Sequence, residues 1–114
     1  MITADNLEDY YVRIGRLKQR YLSAQFGQDL PVFSSHTEAA DWFTRLFRDQ
    51  FVFVEEMEAA NSESYYLYDI IHDREIWERR QKELLEKGTA SGPGMLLCAQ
   101  RIDIYEDGSV ELAV

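Results

Sequence analysis

Asp69-x-x-His72 is the single place in this chain where a carboxylate precedes an imidazole by three residues. On a helix, that spacing sets both groups on one face. Helical di-metal carboxylate sites repeat the arrangement twice and complete it with two further carboxylates. No second copy exists here, so His72 and Asp73 read as solvated groups or as the cap of a shorter helix. Two His and one Cys exclude zinc sites of the finger type. Cys98 with a histidine is formally a nucleophile pair. Its setting, Met95-Leu96-Leu97-Cys98-Ala99, is instead that of a buried, inert thiol. Adjacent carboxylates such as Glu55-Glu56 are abundant, and nothing marks one as acid and another as base. There is no P-loop and no dinucleotide fingerprint, and Gly92-Pro93-Gly94 reads as a turn. The expectation is a chain with no catalytic residue, no cofactor and no metal site.

The charge pattern is more informative than the titratable pairs. The net charge is −9, and the excess of acid lies in the second half. Asp49, Glu55, Glu56, Glu58, Glu63, Asp69 and Asp73 fall between Arg48 and Arg74 with no Lys or Arg among them. Phosphate neutralisation needs clustered bases, so direct nucleic-acid binding is disfavoured. A one-signed segment keeps a protein soluble, and it also steers a basic partner. Tyrosines suit interfaces, and Tyr10-Tyr11 and Tyr65-Tyr66-x-Tyr68 interleave with the acids. The residues expected to bind a partner are therefore Glu55, Glu56, Glu58, Glu63, Tyr65 and Tyr68.

The elements that must position them are read from punctuation and periodicity. Neither Gly nor Pro occurs between Pro31 and Gly88. Such an interval resists division into short strands with tight turns and accommodates long helices. Leu7, Tyr10, Ile14, Leu17, Tyr21 and Ala24 follow a three–four spacing, which predicts a helix over 3–26 capped by Thr3 and ended by Gly27. Arg13, Arg16 and Arg20 form a second stripe on it, and Gly15 marks close packing. Ser35-His36-Thr37-Glu38 has the form of a capping box and starts a helix over 35–60. Tyr66, Ile70, Trp77 and Leu84 share a face on a third helix over 64–87, capped by Ser62 or Ser64 and ended by Gly88. The competing reading pairs Phe51–Val54 with Tyr65–Ile71 as a hairpin, since both runs favour strands.

A C-terminal hairpin over 95–114 closes the chain. Its register follows from the turn: a three-residue Glu106-Asp107-Gly108 loop pairs Ile102 with Leu112 and Ile104 with Val110. The same register sets Asp103 against Glu111, a like-charge contact with Arg101 the nearest base. The expected fold is α+β, a single compact domain over 1–114 with three helices packed on that hairpin. The fallback is helices on a four-stranded antiparallel sheet. The expected core is Trp42, Phe43, Leu46, Phe47, Trp77, Leu84, Ile102, Ile104 and Leu112.

A 46% hydrophobic, 13% aromatic chain can bury such a core, which argues against disorder. The single cysteine, the polar first residues and the lack of a spanning apolar run point to a cytoplasmic protein without membrane contact. The expected function is a small, non-catalytic, acidic interaction module with a basic protein partner: an immunity- or antitoxin-like inhibitor, an adaptor, or a nucleic-acid mimic. The alternative is a small enzyme or ligand-binding protein with a pocket between helices and hairpin. Homodimerisation is a third course, with the arginine stripe set against an acidic face of a second copy.

Overall fold

The capping box at Ser35 does start a helix, and the Ser35 hydroxyl accepts the Glu38 amide at 3.1 Å. That helix, α2 (His36–Phe47), stops after 12 residues rather than running to residue 60. The chain turns at Arg48, whose φ of 54° is unusual for a residue with a side chain. A short 3-10 turn, Arg48–Gln50, then leads into a strand. The computed structural model describes residues 1–14, 19–89 and 98–113. In chain order the other elements are β1 (Tyr11–Ile14), β2 (Gln19–Leu22), α1 (Ala24–Gln28), β3 (Phe51–Glu58), β4 (Ser64–Ile71), α3 (Arg74–Lys87), β5 (Ala99–Tyr105) and β6 (Val110–Leu112).

The class is α+β, and the four-stranded sheet held in reserve is the one that forms. Its order is β3-β4-β5-β6, all antiparallel, with β1 and β2 as a separate hairpin. The expected helices over 3–26, 35–60 and 64–87 are each corrected. Phe51–Val54 and Tyr65–Ile71 pair as strands, so β-propensity outweighs the helical spacing that also runs through them. Turns without Gly are made by other means. Ser62 adopts a φ of 67°, and the Asn61 side chain accepts the Glu63 amide at 3.1 Å. The third helix starts ten residues later than expected, capped by Asp73 rather than Ser62 or Ser64; the Asp73 carboxylate accepts the Ile76 amide at 3.1 Å. Gly88 ends it in the left-handed conformation, as expected.

The expected first helix is instead a 3-10 turn (Leu7–Tyr10), the β1–β2 hairpin and the short α1. Gly27 lies inside α1 rather than ending a long helix, and Thr3 donates its amide to Asn6 Oδ1 at 2.8 Å instead of capping. Gly15, Arg16 and Leu17 lie outside the described residues. The arginine stripe does not form: Arg13 and Arg20 face each other across the hairpin. Such a like-charge pair costs stability. Arg20 offsets it by pairing with Glu8 and lying over the Tyr11 ring at 4.5 Å.

The C-terminal hairpin adopts the argued register, pairing Ile102 with Leu112, Asp103 with Glu111 and Ile104 with Val110. Gly108 has φ 90°, and a Cβ there would meet the Phe33 carbonyl oxygen at 2.3 Å, so only glycine fits. Residues 95–97 and Val114 of the expected hairpin lie outside the described residues.

The core lies on one face of the sheet. Tyr68, Ile70, Ile102 and Ile104 meet Ala39, Phe43 and Phe47 of α2, together with Leu22, Phe26 and Phe33. Phe51 stacks between the Phe43 ring at 5.3 Å and the Tyr68 ring at 4.4 Å. Of the expected core, Phe43, Phe47, Ile102 and Ile104 are buried, and Trp42, Leu46 and Leu112 pack half-buried around them. Trp77 and Leu84 are corrected. They belong to α3, which buries no residue fully, and Leu84 is 43% exposed. α3 lies on the other face, where Trp77 and Arg80 reach Asp69. No helix among the described residues is long and apolar enough to cross a membrane.

Candidate protein-binding edge

Among the described residues β3 pairs only with β4 in the sheet order, which leaves its outer side an open edge. An edge strand offers a row of backbone donors and acceptors to another chain. Natural edges are blunted by charge, and this one carries it: Glu55, Glu56 and Glu58 are exposed, as is Glu63 in the following turn.

The register decides which way each carboxylate points. Phe51 lies opposite Ile70, and Phe53 opposite Tyr68, so both belong to the α2 face. A bulge between Phe53 and Glu55 then shifts the phase by one residue. Beyond it, Glu56 lies opposite Tyr66 and Glu58 opposite Ser64, again on the α2 face. Glu55 and Met57 lie opposite Leu67 and Tyr65, on the α3 face. The four glutamates therefore share an edge, not a face. Phe53 (54% exposed) and Val54 (40% exposed) add apolar surface at the same edge.

The two tyrosines expected beside them separate. Tyr65 is half-buried on the α3 face, its ring 5.3 Å from that of Tyr105. Tyr68 is buried on the α2 face, with its hydroxyl 2.8 Å from His36 Nε2.

Two polar clusters that the sequence reading missed flank the edge. On the α2 face, His36 stacks on Tyr66 at 3.6 Å, with the rings nearly parallel. The Tyr66 hydroxyl donates to Glu106 Oε1 at 2.6 Å, and that bond pushes the phenol up to about 12. Burial lowers the His36 pKa, against the opposing pull of Glu106 and Glu56. The only sequence signal was the register itself, because pairing Tyr66 with Ile104 brings Glu106 of the hairpin loop within reach.

On the α3 face, Asp69 is almost fully buried and accepts from Trp77 Nε1 at 3.2 Å, Arg80 Nη2 at 3.2 Å and Arg101 Nε at 2.9 Å. Arg101 thus serves Asp69 before Asp103. Asp103 keeps a buried oxygen with no hydrogen-bond partner among the described residues. Burial raises the Asp103 pKa first and the Glu111 charge raises it further, with Arg101 opposing.

The Asp69-x-x-His72 pair does not converge. Asp69 turns to α3, while His72 lies just past the strand against Tyr11, Tyr21 and Gln100. Among the described residues no three His, Cys, Asp or Glu groups are placed to hold a metal ion. Cys98 is buried, and burial raises its thiol pKa. Compared with known protein families, curated proteins and solved structures, the chain matches none.

Proposed function

We propose that this chain is a small, non-catalytic interaction module that receives a basic, extended segment of a partner protein along the outer edge of β3. The observation that carries the reading is the alternation of carboxylates on an open edge strand: Glu55 on one face, Glu56 and Glu58 on the other. Successive side chains of an added strand also alternate between faces. Lys or Arg residues on such a strand would each meet a carboxylate across the new ladder, whichever face they occupy. Main-chain bonds would supply affinity, and the alternating charge would select a basic sequence over an acidic one. An inhibitor, an adaptor and a nucleic-acid mimic would all use such an edge in the same physical way.

A synthetic peptide of alternating Lys and Val tests the reading. It is expected to bind the chain, to weaken as salt is raised through the physiological range, and to bind poorly when Glu55, Glu56, Glu58 and Glu63 are all replaced by Gln. Equal affinity of the four-Gln variant would reduce the acidic edge to a solubility device.

The ligand-binding alternative places its pocket between helices and hairpin; one cavity among the described residues, of about 390 Å³, lies instead between the N-terminal segment and α2, lined by Ile2, Phe33, Trp42, Asp29, Glu38 and Arg45 among others. Its two carboxylates are already engaged, Asp29 by Tyr10 and Gln25 and Glu38 by Ser34. The acidic edge is therefore the better-supported reading.

A further inference from the structure

The cavity beside α2 takes three of its lining side chains from one stripe of that helix: Glu38, Trp42 and Arg45, at i, i+4 and i+7. At about 1.5 Å of rise per residue, the two charged positions stand about 10 Å apart along the axis, with Trp42 between them. No ion pair joins them. Arg45 is exposed and, among the described residues, makes no hydrogen bond or ion pair, with Asp41 one turn before it included. Glu38 accepts the Ser34 hydroxyl at Oε2, and its Oε1 has no hydrogen-bond partner among the described residues. A hydroxyl donor is neutral, so the Glu38 charge stays in place. The remaining charged side chain of the lining, Asp29, is engaged within the fold: Oδ2 accepts from Tyr10 and Oδ1 from Gln25, each at 2.7 Å. Those bonds lower its pKa and the Met1 amine adds to the shift, so Asp29 and that amine offset one another. What the cavity leaves open is one carboxylate and one guanidinium, separated by an apolar stretch of Trp42, the Phe33 ring 5.6 Å from it, and buried Ile2.

We propose that this cavity binds an extended, zwitterionic ω-amino acid, with its ammonium on Glu38, its carboxylate in the guanidinium fork of Arg45 and its methylene chain over Trp42, Phe33 and Ile2. The pair of opposite charges decides for a zwitterion. A plain carboxylate would leave Glu38 unanswered and meet its repulsion, and a plain amine would meet that of Arg45. The separation along α2 decides for a long spacer, since a short amino acid cannot reach both ends. Arg45 suits the carboxylate because its planar fork matches two oxygens. The apolar stretch decides for a hydrocarbon chain between the ends. No residue of β3 lines the cavity, so the inference stands independently of partner binding at that edge.

Backbone and side-chain NMR, titrated with ε-aminocaproate, tests it. Saturable shifts are expected at Phe33, the Trp42 indole N–H and the Arg45 Nε–H. Hexylamine and hexanoate, each lacking one charged end, and glycine, lacking the span, should each bind at least about tenfold more weakly. Arg45→Gln and Glu38→Gln should each lose about tenfold in ε-aminocaproate affinity, and Arg45→Lys should recover part of the first loss. Both side chains are exposed, and Gln at 38 can still accept the Ser34 hydroxyl. Should Glu38→Gln fail to fold, Arg45→Gln and the one-ended ligands carry the same test. Absence of saturable shifts at these residues in the parent protein overturns the proposal. So does hexylamine, hexanoate or glycine binding as tightly as ε-aminocaproate, or an affinity unchanged in either folded Gln variant.

Discussion

His72 donates from Nε2 to Oε1 of Gln100 at 2.9 Å, and the surrounding bonds determine that direction. The Gln100 amide nitrogen gives its hydrogens to the carbonyls of Leu22 at 3.0 Å and Ala113 at 2.8 Å, so the oxygen is the end that also accepts the Leu22 amide at 2.9 Å. An amide oxygen only accepts, so His72 carries its proton on Nε2. One buried glutamine thereby ties the β1–β2 hairpin to the main sheet, and the neutral imidazole completes its bonding.

Stability should fall as pH drops from neutral. Burial pushes the His72 pKa below 6.5, and the nearby Arg20 charge adds to the shift. A base with a depressed folded-state pKa contributes fully above its unfolded pKa of about 6.5, and the contribution is lost as pH falls through the folded value. The His36 shift has the same sign. Denaturant midpoints measured from neutral to mildly acidic pH should decline, and His72→Gln should flatten that decline. A parent profile flat across this window would contradict the buried, neutral imidazole.

Asp103→Asn should stabilise the protein at neutral pH by up to about 1 kcal/mol, because it removes a like charge from its place opposite Glu111. The Asp103 pKa is raised, so the penalty on the parent is absent below the unfolded pKa and complete above the folded one. The two proteins should therefore converge in acid. A variant less stable than its parent at pH 7 would mean that Asp103 has a favourable partner.

Phe47→Ala should cost about 3–5 kcal/mol, while Leu84→Ala should cost under about 1 kcal/mol. Phe47 is buried against Phe26 and Phe43, and Leu84 lies on the exposed rim of α3. Equilibrium unfolding of the pair reads the contrast directly. Equal losses would show that α3 is as deeply packed as α2.

Arg48→Gly should raise stability by about 1 kcal/mol, less the backbone entropy that glycine adds to the unfolded chain. Its φ of 54° with ψ of −125° lies in a region that favours glycine. A thermal midpoint clearly lowered in Arg48→Gly would show that the Arg48 side chain is worth more than the strain.

The legible parts of the fold were those with local chemistry. The Ser35 box, the Gly88 terminator and the Gly108 turn each depend on a residue or two, and the C-terminal register follows from one apolar face. Helix lengths were not legible. Phe51-Val52-Phe53-Val54 continues the helical stripe of Phe43 and Phe47 without a phase break, and the same four residues satisfy a strand equally well. Partners far along the chain settled the matter, since β4 lies between β3 and β5. For the candidate edge, the acidic residues were visible in composition, while their split between two faces depended on a bulge that no local signal marks. The Asp69 cluster was invisible for a related reason: its partners Trp77, Arg80 and Arg101 come from two other elements.

Hydrogen exchange at the amides of β3, measured with and without the alternating Lys-Val peptide, reports strand addition at the edge. Added strands pair through the backbone, so slowed exchange confined to residues 51–58 is expected, with loss of that protection in the four-Gln variant. Unchanged exchange along β3 at saturating peptide, or protection appearing on another element instead, would contradict a partner-binding edge.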